Sequence, residues 1–62
     1  MPTKLELKEA KMSLTSLLSK CDKAILKLEK KSSQHTLMVR RIKALNISLQ
    51  LIESELQKNI SA

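Results

Sequence analysis

The sequence predicts an all-α fold: an antiparallel two-helix hairpin, an αα-hairpin completed by dimerisation or by a partner chain. Three observations lead there. First, the 62 residues include no Gly, Phe, Tyr or Trp, and the single proline is Pro2. A sandwich or barrel needs turn residues, and strands favour aromatics. Second, apolar residues recur at helical spacing on both sides of mid-chain. Third, the midpoint itself, KKSSQHT from Lys30 to Thr36, is polar at both core positions together.

The first helix is expected over about residues 3–31. Thr3 and Glu6 have the spacing of a capping box, and Pro2 stands just before the cap. Glu6 and Glu9 fall in the first turns, and Lys27, Lys30 and Lys31 fall near the far end. Both placements complement the helix dipole. Leu7, Ala10, Leu14, Leu17, Leu18, Cys21, Ala24, Ile25 and Leu28 share one face, a stripe about 120° wide at 100° per residue. Leu5, Met12 and Leu26 fall nearly opposite.

A turn is expected over about residues 32–34 and a second helix over about 35–60. Met38, Ile42, Leu45, Leu49, Ile52 and Leu56 alternate spacings of four and three, the seam of a packed helix pair. A second stripe, Leu37, Ala44, Ile47 and Leu51, lies roughly 140° away on the same wheel. One neighbouring helix covers one seam only, so the other stripe calls for a further chain. The predicted contact sets Leu14, Leu17, Cys21, Ile25 and Leu28 against the Met38–Leu56 seam.

One alternative architecture stands beside the hairpin. Counting sevens from Leu7 through Leu14, Cys21 and Leu28 reaches His35, Ile42, Leu49 and Leu56. Counting from Ala10 reaches Leu17, Ala24, Lys31, Met38, Leu45, Ile52 and Asn59. The register never breaks, so one continuous coiled-coil helix, roughly 87 Å long at 1.5 Å per residue, is also compatible. The hairpin is favoured by the polar pair Lys31 and His35, by Ser32 and Ser33 as caps for a following helix, and by the central position of the break. The missing glycine speaks against it, because helices often stop on one.

Size and composition bound the function. A chain this short buries little surface against its ordering entropy. Its one cysteine excludes an internal disulfide, and one Cys with one His cannot complete a four-ligand zinc site. Association is the expected source of further stability, and no cofactor is expected. Twelve Lys and Arg against six Asp and Glu give +6, a basic protein suited to anionic surroundings. Lys20, Lys23, Lys27, Lys30, Lys31, Arg40 and Arg41 are candidate anion-binding residues at the tip of a hairpin. Without aromatics there is no stacking platform for unpaired bases, and no DNA-reading motif is present. The start, MPTKLELKEAK, lacks the apolar core of a signal peptide, and the longest apolar run is Leu37–Val39. A cytoplasmic location is therefore expected.

Single residues read as structural. Cys21 falls on the core face as a small apolar residue. His35 is expected in the turn with no ligand partner nearby in sequence. Asn46-Ile47-Ser48 and Asn59-Ile60-Ser61 match a glycosylation acceptor pattern by chance. Carboxylates are few and dispersed, with no phosphate loop and no nucleophile–base arrangement. The expectation is a non-enzymatic interaction module, chaperone- or adaptor-like. Its partner-binding residues would be Leu37, Ala44, Ile47 and Leu51, and its partner another helical chain or a second copy. A homodimeric four-helix bundle binding nucleic acid through the basic tip is the alternative.

Two segments also resemble a known family. RRIKALNISLQLI, residues 40–52, has a basic residue, Lys-Ala-Leu, and then spaced aliphatics closing on Ile. KAILKLEKK, residues 23–31, stands before the turn. Both are similar to the small helical-hairpin co-chaperones of type III secretion needle subunits. The resemblance spans about 40 residues. It implies a hairpin that holds a second chaperone and helps keep the needle subunit unassembled in the cytoplasm. SSQH stands where that family often has a glycine-containing turn.

Overall fold

A computed structural model describes the backbone of residues 1–61 and the side chains of residues 1–58. Helix α1 (Lys4–Ile25) and helix α2 (Ser33–Ser61) pack against each other as a hairpin. The molecule measures 47 × 16 × 14 Å. A continuous helix of the whole chain would approach twice that length, so the rod alternative is set aside.

The start of α1 follows its sequence signal. The Thr3 hydroxyl accepts from the Glu6 backbone N–H at 3.1 Å, and the Thr3 N–H donates to Glu6 Oε1 at 2.9 Å. Two N–H groups that the first turn leaves orphaned are thereby satisfied. The Thr3 N–H and hydroxyl together hold the Glu6 carboxyl below its ordinary value of 4.5.

The end of α1 differs from expectation. The helix stops at Ile25, and Leu26 is its C-cap, about six residues before the predicted end near 31. Only Lys23 lies in the last turn, so Lys27, Lys30 and Lys31 belong to the connection. A helix continued through that segment would line Lys27, Lys30 and Lys31 along one flank, and like charges three and four residues apart oppose helix. Ser32 adds a competing local hydrogen-bonding pattern.

The connection is a chain of tight turns. Lys27 N–H donates to Ala24 C=O and Leu28 N–H to Ile25 C=O, both at 3.1 Å. Ser32 N–H then donates to Glu29 C=O at 3.0 Å. These bonds span three residues, as in a 3₁₀ turn. Among the described residues none has positive φ. The chain reverses without any left-handed residue, which is why no glycine is required.

Ser32 joins the turn to α2. Its hydroxyl donates to Glu29 C=O at 2.7 Å and accepts from His35 N–H at 3.1 Å. The second bond caps the first turn of α2, so the helix begins at Ser33, two residues ahead of the expected start.

One seam is filled. On α2, Leu45 and Leu56 are buried, and Met38, Ile42, Leu49 and Ile52 are half-buried. This is the predicted stripe without exception. On α1, Leu7 and Cys21 are buried and Leu14, Leu18 and Ile25 are half-buried, as is Leu28 in the connection. Leu17, expected in this contact, is instead 44% exposed. The inward row of α1 runs Leu7, Lys11, Leu14, Leu18, Cys21, Ile25, spaced four and three, and Leu28 continues it into the connection. That spacing selects the residue after Leu17. Lys11 fits the row because its aliphatic stem lies along the seam while its ammonium pairs with Glu53 of α2. The core is thin: among the described residues, no side chain is less than 2% exposed. The Asn59 core position lies outside the described side chains, as does the Asn59-Ile60-Ser61 pattern.

Candidate functional site

Filling one seam leaves the second stripe of α2 open. Leu37 is 60% exposed and Leu51 is 67% exposed, with Ala44 exposed between them. These three recur every seven residues, so they form a row along one side of the helix. Ile47 is also exposed, at 48%. It sits further round, on the outer surface opposite the seam. The predicted partner-binding set is therefore three residues in line and one apart.

Helix α1 adds to this side. Ala10, Leu17 and Ala24 also recur every seven residues. Each immediately precedes an inward residue: Lys11, Leu18 and Ile25. Leu37, Ala44 and Leu51 likewise precede Met38, Leu45 and Ile52. In antiparallel helices of the same hand, equivalent steps from the seam fall on the same side of the pair. The side therefore carries two apolar rows, one per helix. A shallow cleft of about 250 Å³ between Leu28, Leu37, Met38 and Arg41 marks its turn end. Sequence reasoning assigned Leu17 to the core and so missed the α1 row.

The opposite side of the hairpin has a different character. An open groove of about 840 Å³ runs past Lys4, Lys8, Lys11, Thr15 and Ser19 to Glu53, with Met12 and Leu56 supplying an apolar floor. The signal for it is the spacing of four, three, four and four along α1, a polar row at helical period. No pair of carboxylates converges there, and Glu53 is engaged by Lys11.

The predicted basic residues all lie on the surface: Lys20, Lys23, Lys27, Lys30, Lys31, Arg40 and Arg41 are exposed. Their distribution along the hairpin is uneven. Residues 20–43, the half nearest the turn, carry eight Lys and Arg against two acids. The remaining residues carry four of each. The whole net charge of +6 thus resides in the turn half.

The remaining candidates have structural surroundings. Cys21 is a free thiol buried in the seam. His35 is half-buried, with its backbone N–H held by Ser32. Asn46 donates its side-chain amide to Ile42 C=O at 3.1 Å, within its own helix. Among the described residues, no group of three or more His, Cys, Asp or Glu could hold a metal ion. Among the described residues no helix is long and apolar enough to cross a membrane.

The fold and these surfaces define a small basic helical hairpin with one closed and one open apolar seam. Compared with known proteins, the chain matches no family model, no curated protein and no solved structure.

Proposed function

We propose that this protein is a non-enzymatic interaction module, chaperone- or adaptor-like, that buries a partner helix against the open row of α2. One observation carries the reading: Leu37, Ala44 and Leu51 form an exposed apolar line beside a seam that is already filled. An aligned apolar row on a chain with so little core of its own is suited to receive an amphipathic helix. The likeness of residues 40–52 to the type III secretion needle co-chaperones supplies a particular form of the role, a cytoplasmic hairpin paired with a second chaperone. A photo-crosslinking amino acid at position 51, in cells expressing the protein, tests the reading. Adducts to a helical polypeptide are expected at position 51 and not at the control position Met12. Equal background at both positions would remove the proposal.

A second reading is favoured by the concentration of net charge in the turn half. The tip would bind nucleic acid phosphates through Lys27, Lys30, Lys31 and Arg41. Such binding falls steeply as salt releases fewer counterions. Absence of binding to RNA and DNA at low salt excludes it.

A further inference from the structure

We infer that the occupant of the open side is a second copy of this chain, turned end for end, so that two hairpins close a four-helix bundle. The inference rests on the helix-burying reading above and names its partner. The first argument is self-complementarity. Along α1 the row reads small, large, small (Ala10, Leu17, Ala24), and along α2 it reads large, small, large (Leu37, Ala44, Leu51). The Lys11–Glu53 pair marks the register between the helices. It places Ala10 within about one turn of the level of Leu51, Leu17 of Ala44, and Ala24 of Leu37. Turning a copy over exchanges the outer two levels and returns the middle one to itself. Each of three layers then holds two leucines and two alanines, one pair from each copy. A two-fold interface requires this property, because the same patch must fit itself.

Packing alone does not choose the orientation, since copies with their turns at the same end also give such layers. Charge decides it. With turns together, two halves of +6 lie side by side. With turns apart, each basic half lies on the neutral half of its neighbour, where Glu6, Glu9 and Glu55 are found. Between the α2 row and the seam stand Arg41, Ser48 and Glu55. The reversed arrangement sets Arg41 of one copy and Glu55 of the other on the same facing side, offset by about 12 Å along the axis.

Size is consistent as well. A side of 47 by 16 Å offers a footprint of roughly 750 Å² per copy, close to the ~800 Å² per partner of a standard stable interface. Closing it also supplies what a chain with no described side chain below 2% exposure lacks, a second layer of core.

Two measurements on the full chain test this. Sedimentation equilibrium should give twice the chain mass. Leu51→Lys should weaken that association on the order of 30-fold or more, because the change occurs once in each copy. Ile47→Lys, on the outer surface, should leave it unchanged and controls for general effects of a new charge. Circular dichroism confirms that each variant remains helical. Orientation is read by spin labels on Gln34→Cys in a Cys21→Ala background. Turns apart predict a separation of roughly 30 Å or a little more, since Gln34 stands about 15 Å along the axis from the Ala44 level on which the two copies centre. Turns together predict less than about 25 Å, since neighbouring helices lie 8–10 Å apart. A monomer at every concentration, an Ile47→Lys effect equal to that of Leu51→Lys, or the short separation would each overturn the inference. A monomer that still gives position-51 adducts to a different helical protein sinks the second copy alone. A monomer with no such adducts sinks the helix-burying reading too.

Discussion

Ser32 is the side chain on which the turn depends. Its hydroxyl bonds backward to Glu29 and forward to His35, tying the last turn of the connection to the first turn of α2. Ser32→Ala should therefore cost about 1 kcal/mol, the ordinary loss for a helix cap. Ser33→Ala, one residue on, should cost much less. Urea denaturation of both variants makes the comparison, and equal losses would contradict the assignment of the cap. Glu6 makes a second residue-level prediction. Its carboxyl is held below 4.5 by the Thr3 N–H and hydroxyl. A depressed carboxyl stabilises the fold above its unfolded value and loses that contribution as pH falls through the folded one. Carboxyl carbon NMR should place the Glu6 midpoint below 4.5, and Thr3→Ala should raise it. In the seam, Leu45 is buried, so Leu45→Ala should cost about 2 kcal/mol or more by the large-to-small rule. Met12→Ala should cost little, because Met12 is 73% exposed. Both are read from thermal melts.

At the scale of the helices, the two ends of α1 show what a sequence makes legible. Its start is a local pattern: a threonine, a glutamate three residues on, and a helix following them. Nothing distant is needed to complete it. Its end depends on competition between continued helix and a turn, and no single residue marks the crossing. Lys27, Lys30 and Lys31 could serve either as dipole partners or as mutually repelling neighbours, and the tight turns after Ile25 resolve the choice. The seam of α2 was readable as a seam from its four-three spacing, but the second stripe on the same helix left open which of the two faces inward. The seam of α1 was less readable, since adjacent Leu17 and Leu18 both satisfy a broad apolar face. Only the position of α2, marked by the Lys11–Glu53 pair, selects Leu18. That pair is half-exposed, so a double-mutant cycle on Lys11→Ala and Glu53→Ala should give at most about 1 kcal/mol, diminished by added salt.

For the whole molecule, the distribution of charge says more than its sum. The excess of six cations was plain from composition. Its confinement to one half emerges only when the chain folds back and residues 20–43 become a single end. A hairpin with one neutral end and one strongly cationic end has a large permanent dipole along its 47 Å axis. Unpaired, as in Leu51→Lys, it should orient in an applied field and give electric dichroism aligned with the helices; paired end for end, the two dipoles cancel and that signal should vanish. On a cation-exchange resin or any other anionic surface the unpaired hairpin should stand end-on, turn downward, whereas the end-for-end pair, with identical ends, should lie flat. A tag at either terminus of the unpaired hairpin would then remain accessible while the molecule is bound, whereas a label near Gln34 would be shielded.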